Sequence, residues 1–332
     1  MPMSETPKLS LSSDVQRLLT SDGDRRLTDD DIVQLQVHMN MICRWAERVP
    51  ETTKFFFVQW APVVVIPRIE GFTREQLSIA AYLQPLHSQL CAIAVQVLWK
   101  SDQLIRTLCS ALNAGDLVVA ATMARSLMES SAAFGCETEA IGALWRERKR
   151  KPAPDIESLV EFDEAVFEVI GQIMFGTRLK KDEKPETGIQ RTNIITFIQK
   201  AEKLSEYSGL LRLYEVLCDT VHPSIGANRC FWTKEPDSTD EGVLEFTGSR
   251  RAPGILGNLP YAIGKGTIWS LQWLGHMWVR FERTRNDLFL SGNIHALPRQ
   301  YYGGVAAVDP SGYCSCGSGV KKDECYHQFG VQ

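Results

Sequence analysis

The sequence predicts a mainly α-helical protein: a helical bundle that carries a small β-hairpin insertion and ends in a cysteine-rich module. Three observations predict this class. Apolar residues recur at three- and four-residue spacing along most of the 332-residue chain. Capping signals precede several of these runs, and three of the nine cysteines lie within the last twenty residues.

Helix signals follow one another from the N terminus. Thr28 is followed by three aspartates, which supply an N-cap and an acidic first turn. Residues 73–76, Thr-Arg-Glu-Gln, have the sequence of a capping box. Pro85 fits the first turn of a new helix, so we expect one helix to end at about Leu83 and the next to run to about Asn113. Further helices are predicted over residues 117–151, 156–175, 192–204, 206–222 and 259–285.

Two short runs of β-branched and aromatic residues, 230–233 and 243–246, interrupt the helical pattern. A polar stretch that contains a proline and a glycine separates them, which predicts a β-hairpin. Glycines and prolines then set the C-terminal residues apart from the bundle. The chain therefore divides into four predicted parts: a flexible N terminus (1–27), a helical domain (28–290), a linker (291–308) and the cysteine-rich module (309–332).

Composition and charge exclude several classes of protein. Basic residues number 36 and acidic residues 40, which gives a net charge of −4, whereas proteins that coat nucleic acid are usually strongly basic. No apolar run is long enough to span a membrane, and no secretory signal is recognised at the N terminus, so we expect a cytoplasmic protein without membrane attachment. An odd number of cysteines disfavours a disulfide framework, and the six outside the tail are interpreted as small buried hydrophobes.

The last residues have the spacing of metal ligands. Residues 314–327 read Cys-Ser-Cys-Gly-Ser-Gly-Val-Lys-Lys-Asp-Glu-Cys-Tyr-His, and the glycines permit a tight turn after the first two cysteines. Zinc prefers four thiolate or imidazole ligands in a tetrahedron, and four protein ligands leave no position for a reactive water. The spacing predicts a structural zinc knuckle, with an unfolded tail of free thiols as the alternative. The predicted ligands are Cys314, Cys316, Cys325 and His327.

The order Cys-x-Cys-Gly-Ser-Gly, five residues and a third cysteine resembles the SEC-C motif, a zinc-binding module named for the C terminus of the Sec translocation ATPase. The resemblance covers about residues 309–330. The family often places its last ligand directly after the third cysteine, where Tyr326 stands in this chain, so the ligand role passes to His327. The resemblance implies a contact surface for protein or ribosomal partners. Lys321 and Lys322 would serve such contacts, or would simply aid solubility.

A second group of polar residues lies within the predicted bundle. Arg125 and Glu129 are four apart on a helix with apolar residues on nearly every side, a spacing that permits an ion pair. His222 ends a later helix, where the helix dipole favours it. The segments Arg-Ser-Leu-x-Glu and Tyr-x-x-Leu-x-x-x-Val-His-Pro-Ser around these residues resemble a family of uncharacterised bacterial helical proteins, which implies a fold and no established activity. We expect all three residues to be largely buried, either as a structural network or as a ligand or catalytic pocket.

Three functions remain open. The first is a cytoplasmic helical protein whose zinc module recruits protein or ribosomal partners. The second is a nuclease-like or ligand-responsive effector of stress or phage defence, with Arg125, Glu129 and His222 as its site. The third is an RNA- or ribosome-associated factor that uses the basic run 146–151 together with the zinc tail. The alternative interpretation of the basic run is a solvated helix end. The sequence contains no phosphate-binding loop, nucleophile elbow or Arg-to-His spacing typical of helical ribonucleases, so enzymatic activity stays undecided.

Overall fold

The computed structural model describes residues 8–20, 25–49, 69–150, 156–174, 193–222, 225–232 and 256–297. Helix accounts for 84% of these residues, and they contain no strand, which confirms the mainly α-helical class. The second run of the predicted hairpin, most of the predicted linker and the whole cysteine-rich module fall outside the described residues. No helix within the described ranges combines the length and the apolar character that crossing a bilayer requires.

The described residues form nine α-helices and one short 3-10 helix. The α-helices are α1 (Ser13–Thr20), α2 (Asp29–Glu47), α3 (Arg74–Ala114), α4 (Leu117–Arg150), α5 (Ile156–Met174), α6 (Ile194–Ser205), α7 (Leu210–Val221), α8 (Ile225–Arg229) and α9 (Leu259–Ser291), and the 3-10 helix is Ile294–Ala296. For α4, α5 and α6, the observed ends lie within two residues of the predicted ones.

Contacts divide the chain into two compact units, each made of three stretches. Unit 1 comprises residues 1–46, 98–135 and 193–275, and unit 2 comprises residues 47–97, 136–192 and 276–332. Helices α3, α4 and α9 each contribute residues to both units. The described helices of each unit bury apolar side chains, whose removal from water drives folding. Buried examples are Leu35, Met39, Leu127 and Leu217 in unit 1 and Leu83, Leu86, Ile93 and Ile170 in unit 2.

Two helices begin where the sequence predicts because a capping box caps the N terminus of each. At the start of α2, the backbone N–H of Asp31 donates to Oγ1 of Thr28 at 3.2 Å, and the N–H of Thr28 donates to the Asp31 carboxylate at 2.9 Å. At the start of α3, the N–H of Gln76 donates to Oγ1 of Thr73 at 3.2 Å, and the N–H of Thr73 donates to Oε1 of Gln76 at 2.8 Å. Each box satisfies N–H groups for which the helix itself has no acceptor.

The predicted helix break at Pro85 is wrong. Helix α3 runs from Arg74 to Ala114 with Pro85 inside it. A proline within a helix removes one hydrogen bond and costs about 3 kcal/mol. The neighbouring side chains of Leu83 and Leu86 are each only 2% exposed, and burial of one leucine contributes about 1.5–3 kcal/mol. Packing on both sides of the proline therefore offsets the local penalty.

The N-terminal segment 1–27 is predicted to be flexible, but part of it is folded. Helix α1 lies within it and buries Val15 and Leu19, which are 4% and 1% exposed. Asn40 on α2 holds the residues before α1, because its Oδ1 accepts from the N–H of Leu9 and its Nδ2 donates to the carbonyl of Leu9, each at 2.9 Å. Val15 and Leu19 have the four-residue spacing of a helix, but the polar residues around them obscure this pattern in the sequence.

The predicted β-hairpin is not shown within the described residues, which include 230–232 of its first run and none of its second. Cys230 and Phe231 follow α8 as a turn, in which the N–H of Phe231 donates to the carbonyl of Asn228 at 2.9 Å. The N–H of Trp232 donates to the carbonyl of Arg229 at 3.1 Å, and Trp232 is a single bridge residue rather than part of a described strand. The hairpin therefore stays a prediction.

The predicted linker begins later than expected. Helix α9 ends at Ser291 rather than at about residue 285. Beyond it, Ile294 and Leu297 are buried, at 0% and 2% exposure. Residues 291–297 therefore belong to the folded part of unit 2, and the remaining linker residues lie outside the described ranges.

Close helix packing within unit 1 depends on glycine. A Cβ added at Gly135 on α4 would overlap Nε1 of Trp273 on α9. A Cβ added at Gly266 on α9 would lie 2.8 Å from Sδ of Met128 on α4. Glycine lowers helix stability by about 0.5–1 kcal/mol relative to alanine, so its presence at these positions is explained by the close approach of the two helices.

Candidate functional site

Arg125 and Glu129 lie one turn apart on α4, in the part of the helix that belongs to unit 1. Nε of Arg125 donates to Oε1 of Glu129 at 2.9 Å, a charge-assisted hydrogen bond. The ion pair that their spacing permits is therefore present. Burial alone would lower the pKa of Arg125, but the charge and hydrogen bond of Glu129 raise it above its ordinary value, so the guanidinium stays charged.

His222 approaches this pair from the end of α7. Its backbone N–H donates to the carbonyl of Cys218 at 3.0 Å. The backbone of His222 is extended, so the chain leaves the helix at this residue. The imidazole Nε2 lies 3.4 Å from Nη1 of Arg125, a distance at which a neutral imidazole nitrogen can accept a hydrogen bond. His222 is exposed, so a ligand from solvent can reach its ring.

Tyr214 on α7 is a residue of this site that sequence reasoning does not assign to it. Its hydroxyl donates to Oε1 of Glu129 at 2.8 Å, and its ring centroid lies 5.7 Å from Cζ of Arg125, within cation–π range. Burial, followed by the nearby Glu129, raises the pKa of Tyr214, so it is a neutral donor. The sequence does contain a signal that could have placed Tyr214 here, because Tyr214 and His222 are eight residues apart, a spacing that puts two residues on one face of a helix. We call these four residues the arginine cluster.

The arginine cluster lies at the boundary between core and solvent. The side chains of Arg125 and Glu129 are 22% and 23% exposed, so most of each is buried, as expected, whereas His222 is exposed and the expectation is wrong for that residue. His222 is exposed where the chain leaves α7. The charged pair keeps some exposure because Ala124 and Leu127 take the core-facing positions of α4 at 0% exposure and leave the pair on the flank of the helix. A half-buried arginine beside an exposed imidazole can hold an anionic group such as a phosphate.

The predicted zinc ligands Cys314, Cys316, Cys325 and His327 lie outside the described residues, as do Lys321 and Lys322. Within the described ranges, no group of three or more histidine, cysteine, aspartate or glutamate side chains is placed to hold a metal ion. The zinc site therefore stays a prediction. Among the six cysteines outside the tail, Cys43, Cys91 and Cys109 are buried, as expected, whereas Cys136, Cys218 and Cys230 are partly exposed.

The basic run at 146–151 is not uniformly solvated. Arg146, Lys149 and Arg150 are exposed at the end of α4, which agrees with a solvated helix end. Arg148 departs from this pattern, because it is only 8% exposed. Helix geometry accounts for the difference, since Arg148 follows the buried Trp145 by three residues and so lies on the same face.

Unit 2 contains a second polar cluster, which sequence reasoning misses. Arg285 on α9 donates from Nη2 to Oε2 of Glu282 at 2.5 Å and from Nη1 to Sγ of Cys91 at 2.9 Å. The side chains of Arg285 and Glu282 are 3% and 1% exposed. His87 lies one turn before Cys91 on α3, with Nε2 at 3.8 Å from the sulfur, and is 5% exposed. We call these four residues the buried cluster.

Burial sets the protonation of this buried cluster. It raises the pKa of the Cys91 thiol, against the opposing charge of Arg285. Burial, together with the charge of Arg285, lowers the pKa of His87 to about 3. The thiol and the imidazole are therefore neutral at pH 7, and the Arg285–Glu282 ion pair carries the charge. Because all four residues are sealed from solvent, the buried cluster offers no entry for a substrate.

Comparison of the chain with protein-family models, with curated proteins and with solved structures found no match. The function of this chain must therefore be inferred from its own sequence and structure.

Proposed function

We propose that this chain is a helical protein whose residues 309–332 form a structural zinc module that recruits a protein or ribosomal partner. The observation that carries the proposal is the ligand spacing of the tail, Cys-x-Cys-Gly-Ser-Gly followed by a third cysteine and a histidine. Thiolate and imidazole groups at this spacing match the ligand types and number that a structural zinc requires.

The size of the tail favours recruitment over catalysis. So short a segment cannot bury a core of its own, so metal binding must supply most of its folding free energy. Four protein ligands saturate a tetrahedral zinc and leave no position at which a water could be activated. A segment already ordered by its metal loses little further conformational entropy when it binds, which suits it to a small contact surface.

Metal analysis of the purified protein tests the first step of this proposal. We expect about one zinc per chain, as a tetrahedral four-ligand site requires. The Cys316→Ser variant should lose the metal, and the matched Cys230→Ser variant, which removes a thiol outside the tail, should keep it. Full zinc occupancy in Cys316→Ser, or equal loss in both variants, would contradict the assignment.

Partner binding tests the second step. Purified ribosomes and affinity capture would be used to compare the full chain, a chain that lacks residues 309–332, and Cys316→Ser. We expect the full chain to bind and both altered chains to lose binding, while the thermal melting of the helical part is unchanged. Equal binding by all three chains would refute recruitment through the tail.

A second candidate function is favoured by the approach of Arg125 to His222. We propose as this alternative that the arginine cluster is the site of a nuclease-like or ligand-responsive effector. An arginine can neutralise a phosphodiester while the adjacent imidazole transfers a proton to or from a reacting oxygen. In that arrangement Glu129 and Tyr214 would act as positioning residues, because Glu129 pairs with Arg125 and the Tyr214 hydroxyl donates to Glu129.

Cleavage of a labelled single-stranded RNA in the presence of EDTA would test this alternative. Arg125→Lys and His222→Gln should each abolish cleavage. Arg106→Lys is the matched control, because Arg106 forms the same type of pair with Asp102 four residues earlier on α3, at 2.9 Å. No cleavage by the unmodified chain, or equal cleavage by all variants, would eliminate the nuclease form of the alternative.

A further inference from the structure

A cavity of about 380 Å³ lies within unit 2, apart from the residues of both proposed functions. Residues of α3, α4 and α5 line it together with the residues that end α9. Its walls include the apolar side chains of Leu83, Trp145 and Leu159, which are themselves buried. Ligand sites in proteins are typically clefts of about 300–1,000 Å³ with mostly apolar walls and a few polar groups, and this cavity falls at the lower end of that range.

The main polar feature of the cavity is Arg148. This residue lines the cavity, is only 8% exposed, and its Nε has no hydrogen-bond partner among the described residues. A buried N–H donor without a hydrogen-bond partner is costly, and buried cations in proteins are normally paired with an anion. The described part of unit 2 also contains no carboxylate within ion-pair distance of this guanidinium.

The neighbouring cation, Lys149, is paired with a carboxylate, which distinguishes it from Arg148. Lys149 pairs with Asp287 on α9, which also accepts from Nε1 of Trp145 at 2.9 Å and from Oγ of Ser291 at 2.8 Å. Burial alone would raise the pKa of Asp287, but the hydrogen bonds from these three residues hold it below its ordinary value. Asp287 is thus a fully engaged carboxylate, and its charge is matched by Lys149.

We propose that this cavity binds a small organic monocarboxylate, with the carboxylate on Arg148 and an apolar or aromatic body against Trp145 and Leu159. The planar guanidinium matches a carboxylate, with which it can form two parallel hydrogen bonds. Glu75 also lines the cavity, and its negative charge disfavours a ligand with a second anionic group. The volume admits a body of about one aromatic ring or a branched aliphatic chain.

Titration with phenylacetate, followed through the Arg Nε–H signals in 1H–15N spectra, tests the proposal. We expect one Arg Nε–H signal, absent in Arg148→Met, to shift with phenylacetate and not with the uncharged phenylacetamide. Phenyl phosphate, which carries a second charge, should bind more weakly than phenylacetate. Benzoate and 4-methylpentanoate extend the panel to a shorter aromatic and a branched aliphatic acid. The proposal falls if none of the three carboxylates shifts that signal at millimolar concentration, or if phenylacetamide binds equally well.

Variants separate a binding role from a structural one. Arg148→Met should weaken phenylacetate binding by about tenfold or more, because a charge-assisted pair is lost. The matched Arg146→Met variant changes an exposed cation of the same run and should bind as the unmodified chain does. Without ligand, Arg148→Met should melt at the same temperature as the unmodified chain or higher, because it removes a buried N–H donor that has no hydrogen-bond partner. A clearly lower melting temperature for Arg148→Met alone would show that Arg148 is a structural residue and would overturn the proposal.

Discussion

The two units each contain an arginine–glutamate pair on a single helix, and the pairs differ mainly in their access to water. In unit 1, the side chains of Arg125 and Glu129 are 22% and 23% exposed. In unit 2, those of Arg285 and Glu282 are 3% and 1% exposed. The same chemistry therefore occurs once at the edge of a core and once inside a core.

The groups beside the two arginines also differ in their exposure to water. Arg125 has an exposed imidazole beside it, whereas Arg285 contacts the buried thiol of Cys91 near the neutral imidazole of His87. A half-buried guanidinium keeps part of its hydration and can exchange water for a ligand anion, but a sealed one must keep its internal partner. Solvent can therefore bring a ligand to the first pair, whereas the second pair is part of the core.

The largest expected effect is at Glu282. The Glu282→Ala substitution leaves the guanidinium of Arg285 buried without its carboxylate, so we expect a loss of about 3–5 kcal/mol in the free energy of unfolding, measured by urea denaturation. The double variant Glu282→Leu, Arg285→Met removes both charges and should recover most of that loss. A loss below about 1 kcal/mol for Glu282→Ala would place this pair in the same class as exposed pairs.

The next effect concerns His87 and acid. Its pKa is about 3 in the folded chain and about 6.5 in the unfolded chain. Because the folded-state pKa is the lower one, the unfolded chain binds the proton first, so stability is complete above about pH 6.5 and falls as the pH drops toward 3. At pH 5 the loss amounts to about 2 kcal/mol.

Denaturation of His87→Gln across the same pH range measures this contribution. Glutamine does not titrate, so the decline between pH 6.5 and 5 should be smaller in the variant by about 2 kcal/mol. Identical pH profiles for the two chains would mean that His87 is not held neutral by burial.

A smaller effect is expected for Glu129→Ala. This substitution removes the acceptor of Arg125 and of the Tyr214 hydroxyl, but the guanidinium can turn toward water, so we expect a loss of only about 1 kcal/mol in the free energy of unfolding. Chemical denaturation at pH 7 checks this value. A loss of about 3 kcal/mol, as for a buried pair, would show that the two arginine–glutamate pairs are equivalent in energy.

The smallest effect is expected for His222→Ala. The residue is exposed at the end of α7, and substitutions of this kind usually change the free energy of unfolding by less than about 0.5 kcal/mol. The measurement is the thermal melting temperature, which should match that of the unmodified chain. A markedly lower melting temperature would assign His222 to the structural network rather than to an accessible site.

The sequence predicts those features of the fold that depend on local chemistry. The N-cap at Thr28 and the capping box at Thr73 can be predicted because each depends on a side chain and an N–H group only three residues apart. The continuation of α3 through Pro85 could not be found, because it depends on packing by residues distant in the chain. The folding of residues 8–20 is hidden for the same reason, since the partner Asn40 lies on another helix.

The candidate sites show the same division. The four-residue spacing predicts the Arg125–Glu129 pair, and the following proline marks the helix end at His222. The exposure of the pair, however, depends on which face of α4 turns inward. Glu282 and Arg285 continue the apolar spacing of α9 past Trp278, which is a usable signal for charges at core positions. Arg148 follows Trp145 by three residues and so shares its helix face, but the depth of its burial depends on a cavity whose walls come from several helices.

The close approach of α4 and α9 at Gly135 has a consequence for the evolution of this chain. Because any side chain there would overlap the indole of Trp273, a lineage can replace Gly135 only if position 273 becomes smaller at the same time. The two positions should therefore change as a pair, and so should Gly266 with Met128. We expect a distant homologue to be recognisable by two helices that keep a small residue opposite a large one at both places.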